Sequence, residues 1–238
     1  MSENIEEKTT KAFKVDLDSS ENQNIILKPS ARYFNNQTHQ VNEAVKKIHK
    51  LIENDQYSND DIVLNHNKIK EAFFSPFKPQ LKSAQVFLSH SHADKNKALR
   101  VKNYLESETN HRVFVDSLFW DYKDDVLNKL AEYDDTSKIK DAFTLILRES
   151  LEDMIKKCPY FVFLESNNSV SNQGLSQITH SAWIYEELKI ANTFIADTTL
   201  RESCIRAMRV SHNITNLLRR FKPISLNGLC NEIFSTLL

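Results

Sequence analysis

The sequence predicts an α/β protein built on a parallel sheet covered by helices. Three observations carry that prediction. Short runs at Ala84–Leu88 (AQVFL), Arg112–Val115 (RVFV) and Tyr160–Leu164 (YFVFL) are apolar on both faces, as buried parallel strands are. Stretches with helical spacing separate them, giving strand, helix, strand, helix, strand. Each run stops at a polar cluster: Ser89-His90-Ser91, Asp116-Ser117 and Ser166-Asn167-Asn168. Open parallel sheets bind ligands outside the carboxyl ends of their strands, so these clusters mark a candidate rim.

Taken in order, residues 1–30 are rich in Ser, Asn, Glu and Lys and read as a loosely ordered lead-in, with Asn24–Leu27 a candidate short strand. From Gln40 onward, Val41, Ala44, Val45, Ile48, Leu51 and Ile52 form one apolar stripe and predict a helix that ends at Asn54-Asp55. A weaker helix is predicted from Leu64 to Phe73. The segment Ser75–Gln80 has two prolines, each steering the preceding residue away from the α region, and it makes the clearest boundary in the chain. The organisation expected is a mainly helical N-terminal region over residues 1–80, a candidate regulatory element, followed by an α/β domain over 83–238. Within that domain, Ala98, Val101 and Leu105 stripe the helix after the first strand, and Ser91 and Asp94 are spaced as a capping box. Phe143, Leu147, Leu151, Met154 and Ile155 stripe the helix before the third strand.

Composition excludes several function classes. The chain has 238 residues but only 2 glycines, against the roughly 16 of average usage. Gly174 and Gly228 cannot share one phosphate loop, so neither a Walker A loop nor a dinucleotide fingerprint exists here. A net charge of −1 supplies no electrostatic reason for nucleic acid or an anionic membrane as partner. No apolar run approaches the roughly 20 residues that span a bilayer, and the polar N-terminus is unlike a signal peptide. Cys158, Cys204 and Cys230 form no CxxC pair, which points to reduced thiols, and a cytoplasmic location is expected.

Two constellations carry candidate chemistry. His90-Ser91-His92-Ala93-Asp94 is an HxHxD string, the opening of a zinc site in metal-dependent hydrolases of the metallo-β-lactamase type. The completing position is Lys95, a cation, so the plain alternative is a pair of loop histidines bonded to backbone. The second constellation is Ser181–Leu188 (SAWIYEEL). Ile184, Leu188, Ala191 and Ile195 form its buried stripe, while Trp183 and Glu187, four apart, are neighbours on an adjacent face. An indole beside a carboxylate desolvates it and offers a ligand ring a stacking surface. The plain alternative is a half-buried Trp anchoring the helix, with Glu186 and Glu187 both solvated.

The segments AQVFLSHSHADKNKALRVKNYL, HRVFVDSLFW, SLEDMIKKCPYFVFLES and SAWIYEELKIA stand in the order of a Toll/interleukin-1 receptor (TIR) domain, most like the bacterial branch. The resemblance covers about two thirds of the chain, from Ser83 on, and its most specific part is the W-x-x-x-E of Trp183 to Glu187. It implies a flavodoxin-like three-layer fold. It also implies an NAD⁺ nucleosidase that cleaves the nicotinamide–ribose bond and releases ADP-ribose or a cyclic ADP-ribose-type signal, in bacterial anti-phage defence. By that resemblance Glu187 is catalytic, Ser89 and His90 contact the dinucleotide, and Asp116, Ser117 and Trp120 begin the BB loop. That loop covers the nicotinamide side and mediates self-association. Trp183 or Trp120 would stack on a flat ring. NAD⁺ is then a substrate, with neither metal nor resident cofactor required, and a separate effector would sense the product. Two other classes stay open: a non-catalytic TIR interaction module, and a metal-dependent hydrolase using His90, His92 and Asp94.

Overall fold

The structure, a computed structural model, describes residues 10–27, 37–54, 65–77, 82–132, 136, 139–173, 176–195 and 211–235. The chain opens with β1 (Lys11–Asp16), α1 (Ser20–Ile26), α2 (Gln37–Asn54) and α3 (His66–Phe74). Next come β2 (Ala84–Ser89), α4 (Lys95–Thr109), β3 (Arg112–Val115), α5 (Ser117–Leu130) and α6 (Lys140–Lys157). After β4 (Tyr160–Glu165) follow β5 (Ser171–Gln173), β6 (Ser176–Thr179) and α7 (Ala182–Phe194). The chain ends with β7 (His212–Asn213), α8 (Thr215–Leu218), β8 (Lys222–Pro223) and α9 (Leu226–Ser235).

Two compact units divide the chain. One takes residues 1–30, 84–115 and 152–238, and the other takes 31–83 and 116–151. The first holds a five-stranded sheet in the order β3-β2-β4-β1-β8, with every pairing parallel. Flanking helices complete the α/β class that the strand–helix alternation predicts. Val86, Phe87 and Leu88 of β2 and Phe161 through Leu164 of β4 are fully buried, which is why these runs read as continuously apolar. Their rings stack through the sheet: Phe87 lies 5.2 Å from Phe161 and 5.3 Å from Phe114 between centroids. A second, antiparallel sheet, β5-β6-β7, occupies the stretch between β4 and α7 and the strand after it.

The other unit is helical. Ala44 and Ile48 of α2, Phe73 of α3, Val126 and Leu130 of α5, and Phe143 and Ile146 of α6 form its core. At its centre Tyr122 of α5, fully buried, donates its hydroxyl to the Phe73 carbonyl at 2.8 Å.

Four local readings need correction. The lead-in expected over residues 1–30 contains β1, which lies between β4 and β8 and buries Ala12, Phe13 and Val15. Residues 10–27 therefore go with the sheet, although the Pro76/Pro79 boundary would separate them from it. Asn24–Leu27 is not a strand, because α1 runs through Ile26 and is capped by Ser19, whose side chain accepts from Asn22 N. The Ser91/Asp94 capping box does not form: neither side chain caps, and a 3₁₀ turn at His92–Asp94 leads into α4. No loop opens at Asp116, since α5 starts at Ser117. Tyr122, Val126 and Leu130 recur at helical spacing and are all buried, so packing carries the helix straight off β3.

The order also departs from the 2-1-3-4-5 of flavodoxin-like sheets. Counted from β2, the first three places follow that order, and N-terminal β1 then fills the fourth. A shortage of glycine is met elsewhere by asparagine. Asn110, at φ 55°, holds the left-handed position after α4 where helices favour glycine.

Candidate functional site

The carboxyl ends of β2, β4 and β1 lie side by side, at Ser89, Glu165 and Asp16. From β2 the chain crosses to β3 on one side, and β4 lies on the other. The gap between β2 and β4 is thus a topological switch point, the usual crevice for a ligand in an open parallel sheet.

Glu187 reaches this point from α7. Ser89 Oγ donates to Glu187 Oε2 at 2.5 Å, and both residues are fully buried. A carboxylate out of water is tolerated only when hydrogen-bonded, so this bond is part of what holds Glu187 inside. The helix that carries it is fixed at both ends. Ser181 caps α7 by accepting from Ile184 N at 3.2 Å. At the other end Arg220 donates to the carbonyls of Asn192 and Ile195 at 2.8 and 2.6 Å. Tyr185 stacks on His212 of β7 with 4.4 Å between centroids. Ile184, Leu188 and Ala191 are buried as the stripe requires, and Glu187 is buried with them rather than solvated beside them. Glu186 and Trp183 are half-buried, with Trp183 one turn ahead of Glu187.

His90 follows Ser89 and is buried, whereas His92 is exposed. Asp94 is engaged by the loop after β4. Its Oδ2 accepts from Ser166 Oγ at 2.5 Å and its Oδ1 from Asn168 Nδ2 at 2.9 Å. His90, His92 and Asp94 therefore do not converge, and among the described residues no group of three His, Cys, Asp or Glu side chains is placed to hold a metal ion. Asp116 and Ser117 are buried where β3 turns into α5, and they belong to the other unit. Trp120 lies in the first turn of α5, and its side chain is outside the described residues, as are Gly174 and Cys204.

The structure adds residues that sequence reasoning missed. Lys97 of α4 donates to Asp18 Oδ1 at 3.0 Å and sits 3.6 Å from Asp94. Asp18 Oδ2 accepts from Asn167 N at 3.1 Å. The loops after β1, β2 and β4 are tied together by this one network. The Asn167 N–H, then the Lys97 ammonium, hold the Asp18 carboxyl below the usual carboxylate range, and Asp18 in turn raises Lys97. Beside it, a cavity of about 340 Å³ is lined by Lys14, Asp16, Ser19, Glu165, Ile224 and Ser225. Lys14 pairs with Glu165 at 3.7 Å. No motif signals Asp18, whose partners lie 79 and 149 positions away. Cys158 and Cys230 are buried and not disulfide-bonded. No helix among the described residues is long and apolar enough to cross a membrane.

Compared with known proteins, the chain matches no family model, no curated protein and no solved structure.

Proposed function

We propose that this chain is a TIR-type NAD⁺ nucleosidase. The observation that carries the reading is the pairing of Glu187 with Ser89 at the carboxyl end of β2, beside the switch point. The distant segments that resemble a TIR domain supply both partners of that bond. A carboxylate there suits the chemistry. Cleavage breaks the bond between the nicotinamide nitrogen and C1′ of the ribose, the electron pair leaving with neutral nicotinamide. The sugar becomes oxocarbenium-like, and the Glu187 carboxylate stabilises that charge while holding ribose hydroxyls. Water then attacks C1′ and releases a proton, giving ADP-ribose. An adenine nitrogen attacking instead gives a cyclic isomer. Trp183, one turn away, offers the stacking surface, and His90, Asp116, Ser117 and Trp120 are further contacts that the TIR resemblance assigns. A cytoplasmic role in bacterial anti-phage defence, self-association through TIR units and a product-sensing effector complete the proposal.

The test is nicotinamide release from NAD⁺ by concentrated full-length protein, with Glu187→Ala and Glu186→Ala alongside. Release by wild type and Glu186→Ala, abolished in Glu187→Ala, is expected. Unchanged release from Glu187→Ala overturns the catalytic assignment. The full burial of Glu187 favours a second reading, a non-catalytic interaction module in which the Ser89–Glu187 bond only pins α7 to the sheet. Wild type that releases no nicotinamide, even when crowded or given its trigger, favours that module.

A further inference from the structure

We propose that the β3 edge of the sheet is held shut by a charged clip on α4, which keeps a second copy of this chain from adding its own β3 there. β3 is the outer strand of the five-stranded sheet, with β2 on its inner side. Residues along such a strand turn their main-chain groups alternately toward the neighbour and away from it. Val113 faces away. Its N–H donates to Glu106 Oε1 at 3.0 Å, and its carbonyl accepts from Lys102 Nζ at 2.6 Å. Lys102 and Glu106 are themselves joined at 2.5 Å. β3 has four residues and ends two places before α5, so Val113 is the mid-strand position through which a further strand has to pair.

Other roles for the pair carry less. α4 needs no clip to stay on the sheet, because Ala98, Val101 and Leu105 of its apolar stripe are fully buried. A lysine four residues ahead of a glutamate is also the less favourable order for an ion pair along a helix. The closure is exclusive on the donor side: an amide N–H carries one proton, and Glu106 takes it. The opposite edge is guarded by another device, since β8 has two residues and Pro223 has no N–H to offer.

The occupant that fits an uncovered β3 edge is β3 of a second copy. Across a two-fold axis the strands run antiparallel, and two Val113 residues set opposite each other exchange both N–H···O=C bonds. Arg112 then lies across from Phe114 of the copy, so like charges do not meet. The run Arg112-Val113-Phe114-Val115 has the β-branched and aromatic residues that favour such pairing. With Glu106 and Lys102 in place the pairing cannot form, and any self-association is directed to another surface. The clip stands whether or not the chain cleaves NAD⁺.

Sedimentation of the full chain over a concentration series tests it, comparing wild type with Lys102→Ala/Glu106→Ala and Lys102→Arg/Glu106→Gln. The alanine pair removes both partners of Val113, and self-association is expected to tighten by about tenfold or more, the change that two recovered main-chain hydrogen bonds bring. The conservative pair keeps a donor and an acceptor and sediments as wild type. Val113→Pro added to the alanine pair deletes the outward N–H, spares the ladder to β2, and returns association to the wild-type level. Amide hydrogen exchange at Val113 is the second readout, and it decides alone should the proline variant fail to fold. Protection is expected at every concentration in wild type, and only at high concentration in the alanine pair. A folded alanine pair that sediments as wild type overturns the clip. So does a Val113 amide that exchanges freely in wild type, or tightened association that Val113→Pro leaves in place.

Discussion

Phe13→Ala tests the placement of the N-terminal strand. Phe13 is 2% exposed, at the middle of β1, in register with Val162 of β4 on one side and Lys222 of β8 on the other. Truncating a phenylalanine in such a site costs about 3–5 kcal/mol, the lost transfer energy plus the cavity left behind. The site has little room to collapse, because Val15 and Leu17 on the same segment and Val162 beside it are fully buried as well. A residue in a solvated lead-in would cost no more than about 0.5 kcal/mol. The two placements thus differ by several kcal/mol, a large share of the 5–15 kcal/mol that holds a typical domain folded. The assay is urea unfolding of the full chain followed by far-UV circular dichroism, with Leu27→Ala, 68% exposed, as reference. With a slope of about 1–3 kcal/mol per molar, the midpoint of Phe13→Ala falls by roughly 1–5 M. A shift no larger than that of Leu27→Ala refutes the reasoning and returns residues 10–27 to the lead-in.

Two further outcomes follow from single bonds. Tyr122→Phe removes the hydroxyl that satisfies the buried Phe73 carbonyl and keeps the ring, so the cost is about 1–2 kcal/mol by denaturant titration, with helix content unchanged. Asp18→Asn alters the pH dependence of stability. The folded-state pKa of Asp18 is depressed, so its contribution is present above the unfolded value and is lost as pH falls through the folded one. Solvent screening of the half-exposed Asp18–Lys97 pair keeps that contribution below about 1 kcal/mol. The wild-type advantage over Asp18→Asn is therefore expected at pH 6 and diminishes toward pH 3 in urea midpoints measured across that range.

What the sequence discloses depends on how each element earns its burial. β2, β3 and β4 are legible almost to the residue because their central positions are apolar and buried on both faces. β1 is also an inner strand of the same sheet, but its signal is only Phe13, Val15 and Leu17, interleaved with Lys14 and Asp16 in a polar neighbourhood. Its alternation is that of a half-exposed strand, since Lys14 and Asp16 line an open cavity. β7 and β8 are two residues each and leave no periodic trace at all. Asp116, Ser117 and Trp120 are assigned to a loop by the TIR resemblance, whereas the spacing of Tyr122, Val126 and Leu130 already signals the helix.

Glu187 shows the same limit at the site. Its position is countable from Trp183, but its environment is not. A stripe of Ile184, Leu188 and Ala191 puts the carboxylate on the margin, and a margin faces water whenever the buried arc is narrow. On α7 the arc is wide: Ile190 and Asn192 are buried too, and Glu187 falls inside it. The partner that makes its burial tolerable is Ser89, 98 residues earlier, and only the fold brings the two together. The shortage of glycine then acquires a mechanical consequence. Rims that cradle phosphates use glycine so that the backbone can bend toward the ligand. Here Asp94, Lys97, Asp18 and Asn168 cross-link the strand-end loops through their side chains instead.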